Sequence, residues 1–419
     1  MKKKWLGALA AMMLMVGFAA CQDEVPPYLV IEDVDNDVVG IHGKAVVGVT
    51  DPAEVPAHVK IPNGIVGIYH EVFKNCTSLV SVTIPSSVTA IGLKAFRDCM
   101  SLKSVKIPNG VTIISGDVFR GCTSLTDVTI PKSVTIIGLF AFRDCTSLKS
   151  VTIPEGVEKM VGGAFWGCTS LKNVTIADGV KKIGASAFRD CTSLASVTIP
   201  GSVTEIDVNA FFGCTSLANV IISDGVEKIG KAAFGKCTSL ASVSIPGSVK
   251  ELGELAFAEC TALASVAIGD GVTAINANAF QYCESLASVS IPNSVTEIGV
   301  SAFFGCKSLV SVTIPNGVEK IGQSAFANCT SLASVGIPSG VKEIGEAAFS
   351  GCTSLASVSI PASVTEISKG GVFQDCTSLK EVTFDCSQER VLNQWKPLYS
   401  KLSLKRGIVL HCTDGDLNW

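Results

Sequence analysis

Cysteine is the residue whose number and spacing in this chain could do chemistry. There are seventeen in 419 residues. Thirteen of them, from Cys76 through Cys99, Cys122 and Cys145 to Cys352, follow one another at a strict 23-residue interval, and Cys376 comes 24 residues later. Such a series could form a disulfide framework, hold metal ions or supply nucleophiles. Equivalent cysteines on stacked coils would sit about 4.8 Å apart with parallel Cβ vectors, and the ~90° torsion of a disulfide is hard to reach from parallel vectors. Metal binding is poorly served too. No Cys-x-x-Cys pair occurs, and the histidines (His42, His58, His70 and His411) all lie outside the periodic series. The thiols are therefore expected to form a buried column of small, apolar side chains.

What positions that column is a repeated unit of the form I-P-x-[GS]-V-x-x-I-G-x-x-A-F-x-x-C-T-S-L-x-S-V-x, running from His58 to about Val382. A period of this length predicts a solenoid in which each coil rests on its neighbours. Within a unit, Leu79-Val80-Ser81-Val82-Thr83-Ile84 reads as a short strand with Leu, Val and Ile directed inward. Pro85 and its equivalents end the strand and set a turn. A second extended segment, Val-x-x-Ile-Gly, follows, and its Gly is expected to take a positive φ at a corner. The Ala-Phe pair then fills the coil.

These motifs carry a resemblance. Leu-x-x-Val-x-Ile is a variant of the leucine-rich repeat signature, and the longer form with Ile-Pro, Ile-Gly, Ala-Phe and Cys resembles the BspA-type leucine-rich repeat family of bacterial surface proteins. The resemblance covers about three quarters of the chain. It implies a non-catalytic surface protein that adheres to extracellular-matrix proteins or to other bacteria. The expected fold is a leucine-rich repeat β-solenoid, a right-handed stack of about fourteen coils with little helix, roughly 65 Å long at strand spacing.

The flanks divide the chain further. Lys2-Lys3-Lys4 and the apolar stretch from Leu6 to Phe18 form a signal peptide (1–20), ending in Phe18-Ala19-Ala20-Cys21. That end resembles a bacterial lipobox and makes Cys21 the expected lipidation site. Residues 21–57 read as linker and N-terminal cap, 58–385 as the solenoid, and 386–419 as the C-terminal cap. Aligned by their alternation, Val382-Thr383-Phe384-Asp385-Cys386 and Ile408-Val409-Leu410-His411-Cys412 would bring Cys386 beside Cys412, a candidate disulfide in an exported compartment. Asp33-Val34-Asp35-Asn36-Asp37 has the start of a calcium loop, yet Val38 and Lys44 stand where that loop needs Gly and Glu, so calcium is not expected.

Function must lie where the repeats differ. After Ala-Phe come Arg97, Arg120, Arg143, Trp166, Arg189 and Phe212 in successive coils, the expected partner-binding stripe. Arginine and aromatic side chains are the types enriched at interaction hot spots. Asp98, Asp144 and Asp190 adjoin three of the arginines and would partly neutralise them. Strand positions such as Thr129, Thr152, Thr175 and Ser244 give a hydroxyl-rich sheet face. A third track, Lys182, Glu205, Lys228, Glu251 and then Glu297, Lys320, Glu343, mostly alternates in sign and is read as stabilising coil register.

The formal charge is −4, or −7 once Lys2, Lys3 and Lys4 are removed, which argues against nucleic acid as a partner. No unique catalytic constellation stands out against fourteen repeated copies of the same residues, so neither an enzyme nor a cofactor is expected. The reading is a lipid-anchored adhesin at the outer membrane, exposed at the cell surface, that binds a protein or a glycan and meets the membrane through its lipid alone. Two alternatives stay open: a surface or periplasmic glycan-capture component, and a passive structural spacer.

Overall fold

The 23-residue unit folds as a closed coil because its apolar residues all face one narrow interior. In the computed structural model, residues 25–37, 40–368, 370–395, 402–404 and 408–417 are described. The expected signal peptide (1–20) and the expected lipidation site Cys21 lie outside these residues. Fifteen strands of three or four residues, from His58–Lys60 to Glu381–Phe384, stack in parallel and make one long face of a solenoid of about fifteen turns. Two-residue strands such as Ile136–Ile137 and Lys182–Ile183 stack in parallel on a second face. The strands are short because a coil of 23 residues must turn several corners. At one corner the Pro carbonyl accepts from the amide of the Val three residues on, as in Val88 N to Pro85 O at 3.1 Å.

Each coil contributes buried Val, Ile, Ala, Phe, Cys and Leu to one continuous core. The phenylalanines from Phe73 to Phe373 form an unbroken stack, with ring centroids 5.1 Å apart for Phe73 and Phe96 and 5.7 Å for Phe349 and Phe373.

The glycine after Ile does not take the expected positive φ. Left-handed backbone falls instead at the fifth residue before each Cys (Phe140, Ser186, Asn209) and at the residue just before it (Asp98, Asp144, Asp190). The Ile-Gly glycine is needed for clearance: a Cβ at Gly138 would strike the Ile114 carbonyl, and one at Gly184 that of Met160, each in the preceding coil.

Antiparallel pairs stand at both ends of the stack. Leu29–Asn36 and Ile41–Val49 form a hairpin whose second strand pairs in parallel with Gly67–Ile68 of the first coil. The acidic segment 33–37 is thus largely strand and not a calcium loop. Asp35 Oδ1 lies 2.6 Å from His42 Nδ1, and Asp37 Oδ1 lies 3.4 Å from His42 Nε2. At the other end, the helix Gln388–Trp395 precedes a strand, Val409–Cys412, that pairs in parallel with Glu381–Phe384 and antiparallel with Gly415–Leu417.

Candidate functional site

The cysteine column has a structural task that its spacing did not reveal. From Cys99 onward each thiol donates to the main-chain carbonyl of the Phe one coil back: Cys99 Sγ to Phe73 O at 2.9 Å, Cys214 to Phe188 at 3.1 Å, Cys306 to Phe280 at 3.3 Å. The same carbonyl accepts the backbone N–H of the Cys in its own coil, as in Cys76 N to Phe73 O at 3.1 Å. Both acceptor positions of that buried oxygen are therefore used, and an alanine would leave one empty. All fourteen thiols of the column are free and buried. Burial pushes Cys76 up to about 11 and Cys260 and Cys329 up to about 12, and drives the other thiols from Cys99 to Cys352 upward as well. Burial of this kind disfavours the thiolate, the form that attacks electrophiles and binds metals.

The two terminal cysteines differ. Their strands do pair, but in the register Val382↔Leu410 and Thr383↔His411, two residues away from the alignment that sets Cys386 opposite Cys412. Both are free, half-buried thiols. They remain near one another: burial first, then the neighbouring Cys386, raises the Cys412 thiol. Thr413 N donates to Cys386 O at 3.1 Å, tying the two segments by backbone instead.

Along the edge after Ala-Phe, the predicted stripe comes together as a stacked ladder. Arg143 lies over Trp166 at 4.0 Å and over Phe140 at 5.1 Å from the ring centres. Arg189 is held between Trp166 at 4.9 Å and Phe212 at 5.0 Å. Arg120 reaches Phe140 at 5.9 Å and Lys236 reaches Phe212 at 5.7 Å. The order is cation, ring, cation, ring over six coils, and each such contact is worth about 0.5–1 kcal/mol when partly exposed. Arg97 stands at the N-terminal end, outside the ring contacts. Phe140 was missed by the sequence reading because it occupies a different position of the repeat, one where Gly163 and Ser186 stand in the next coils. It is left-handed at φ 55°, a costly conformation for a bulky residue, and a Cβ at Gly163 would run into its ring.

Every arginine of the ladder also has a carboxylate. Arg97 Nε donates to Asp98 at 3.2 Å, Arg120 Nη1 to Asp117 at 3.1 Å, and Arg189 Nε to Asp190 at 3.4 Å. Arg143 Nε is 3.3 Å from Asp144 Oδ2, an ion pair by distance whose alignment is too poor for a hydrogen bond. Trp166 Nε1 donates to Asp190 at 3.1 Å. The aspartates fall where the backbone is left-handed, a conformation that Asp tolerates better than most residues, and Gly121, Gly167 and Gly213 alternate with them. The stripe is consequently rigid, amphipathic and close to electrically neutral. Its arginine side chains are only 24–31% exposed.

The register track behaves as read. Lys182 meets Glu205 at 2.8 Å and Asp207 at 2.9 Å, Lys228 meets Glu251 at 2.9 Å, and Lys320 lies between Glu297 at 3.9 Å and Glu343 at 3.5 Å. Among the described residues no group of His, Cys, Asp and Glu side chains is arranged to hold a metal ion.

A stack of short parallel strands with inward Leu, Val and Ile defines a leucine-rich repeat solenoid. The family model for the BspA type leucine-rich repeat region matches in six copies over residues 57–172, 161–287 and 273–395, and the chain belongs to that family. Similar solved structures include a leucine-rich repeat protein of Bacteroides ovatus, 30% identical over 81% of this chain and 95% of that one, with a TM-score of 0.64. A leucine-rich cell surface protein of Faecalibacterium prausnitzii is 28% identical over 91% of this chain and 97% of its own, with a TM-score of 0.47. The pneumococcal vaccine antigen PcpA shares the fold at 19% identity, over 92% of this chain and 91% of its own, with a TM-score of 0.50. Among curated protein sequences, none matches this chain significantly.

Proposed function

We propose that this protein is a cell-surface adhesin, held to the outer membrane by a lipid on Cys21, that binds a matrix protein or a neighbouring cell through the ladder from Arg97 to Phe212. The observation that carries the reading is the stacked run Arg120, Phe140, Arg143, Trp166, Arg189, Phe212. Trp and Arg dominate binding energy at protein interfaces, and side chains already locked by stacking lose little entropy on binding. Membership of a surface leucine-rich repeat family supports the same role. Catalysis has no part in it.

The purified protein is tested on an array of extracellular-matrix proteins beside the variant W166A/F212A. Loss of binding in the variant, with little dependence on salt because each arginine already faces a carboxylate, supports the reading. Binding that survives the double substitution moves the contact elsewhere and refutes it. Replacing Cys21 by Ala should release the protein from the membrane fraction and abolish labelling by a fatty-acid precursor. Proteinase applied to intact cells should digest the wild-type protein if it faces outward.

A further inference from the structure

The lysines of this solenoid mostly face carboxylates: Lys132 meets Glu155 at 2.9 Å, Lys231 meets Glu254 at 2.7 Å, and Lys307 meets Glu284 at 2.8 Å. Lys103, Lys106, Lys149 and Lys172 depart from that rule, as do Lys159, Lys181 and Lys380 elsewhere on the solenoid. The first four are exposed, and none has an ion pair among the described residues. They also share one surface, the outward side of the long-strand face in the N-terminal coils. Backbone bonds put three of them in a single file: Lys172 N donates to Lys149 O at 2.9 Å, Lys149 N to Thr126 O at 3.5 Å, and Thr126 N to Lys103 O at 2.9 Å. Lys106 lies three residues along the strand from Lys103 and pairs in register with Thr129. Asp127 is the one carboxylate inside this patch.

We propose that this file of lysines is a docking track for a linear anionic polysaccharide lying along the solenoid axis, with its sulfate or carboxylate groups over Lys103, Lys149 and Lys172. Strand spacing places the backbones of Lys103 and Lys149 about 10 Å apart and those of Lys149 and Lys172 about 5 Å apart, so their long side chains can follow charges along a linear polymer. Between and beside them stand exposed hydroxyls, on Ser104, Thr126, Thr129, Ser150 and Thr152, that can bond sugar oxygens. The patch offers no pocket or aromatic anchor of the kind that holds a protein partner, which favours the polysaccharide over an acidic polypeptide. Lysine, a flexible point charge, suits a polymer whose charges need not fall in one geometry. The net negative charge of the whole protein does not forbid this, because the Debye length of ~8–10 Å confines the contest to local charges. The track lies apart from the ladder and does not depend on it.

The test measures binding of the purified protein to heparin and to polygalacturonate, sulfated and carboxylated forms of the same chemistry, beside neutral dextran and polyglutamate. Retention of at least one anionic polysaccharide at low salt, lost as salt rises, is expected, with none of dextran. The variant K103S/K149S/K172S should weaken that binding about tenfold or more, since its contacts are ionic and screened. The variant W166A/F212A should leave it within about twofold, as those side chains sit on another edge. Failure of both polysaccharides to bind, or an unaffected lysine variant, overturns the proposal. Tighter binding of polyglutamate also overturns it and assigns the track to acidic polypeptides.

Discussion

Phe165 and Phe303 occupy the same place in their coils, fully buried and stacked on a ring above and a ring below. The residues that follow them keep different company. Trp166 sits between two guanidinium groups and donates to Asp190, while Phe304 meets only the edge of Tyr282, at 5.3 Å. The long-strand face changes in the same sense. Before Ala195 it carries Lys103, Lys106, Lys149 and Lys172; from Ala195 to Ser359 its three outward columns hold only small or uncharged residues, among them Ala241, Ser265, Thr313 and Ala333. One core thus runs through two surfaces. In a solenoid the inward residues are set by the neighbouring coils, whereas the outward ones vary freely, so specificity can be concentrated at one end without disturbing the stack.

That comparison can be broken from the inside. The buried thiols keep their protons well above the value of an unfolded cysteine, about 8.5. The unfolded chain then binds fewer protons, and stability falls as pH rises from that value toward the folded ones, about 11 for Cys76 and about 12 for Cys260 and Cys329. The expected loss is about 1.4 kcal/mol per thiol per pH unit in that window, summed over each coil that unfolds together. Denaturant midpoints recorded between neutral and alkaline pH should therefore drop steeply, and by the same slope for both halves. A flat profile would mean that the thiols are not shielded.

Truncating one ring of the phenylalanine stack comes next. Phe165→Ala and Phe303→Ala should each destabilise by about 3–5 kcal/mol in urea unfolding, and by similar amounts, if the core is indifferent to the surface it carries. Trp166→Ala and Phe304→Ala should diverge. The first removes two cation–ring contacts and a hydrogen bond, about 1–3 kcal/mol of stability, together with the proposed binding. The second should leave binding intact.

Smaller effects sharpen the picture. Cys214→Ala and Cys306→Ala should each cost about 1 kcal/mol by leaving a Phe carbonyl short of one donor. In the native protein Cys386 and Cys412 should alkylate first, and mild oxidation should link those two if any pair is linked, as peptide mapping without reductant would reveal. The smallest effect is at His42, whose imidazole is raised chiefly by its bond to Asp35 and then by Asp35 and Asp37 charge. Its contribution is present below the unfolded value of about 6.5 and lost as pH rises through the folded one. An NMR titration of His42 should show a midpoint above that value, and Asp35→Asn should lower it.

Much of the molecule was legible beforehand. The 23-residue period named the architecture, and the alternation in Leu-x-Ser-Val-x-Ile named the inward residues, because both are local patterns that repetition makes unmistakable. The alternating charges at Lys182, Glu205, Lys228 and Glu251 were equally plain once coils were stacked in register. The corner glycine was misjudged: its need is clearance from the preceding coil, which a single unit does not display. The alignment of Cys386 with Cys412 failed for a related reason, since the terminal strand is no longer bound to the period and shifts by two residues.

By itself, then, the sequence determined the coil, its core and which edges vary, since these follow from periodicity and side-chain polarity within one unit. Only the tertiary structure decided that the ladder arginines are spent on rings and aspartates, that Phe140 belongs with them, and that four lysines on the long-strand face of the N-terminal coils have no ion pair among the described residues. Those outcomes depend on which side chains of adjacent coils reach one another. That reach is a matter of a few ångströms across the stack, between residues some 23 positions apart, and no local pattern encodes it.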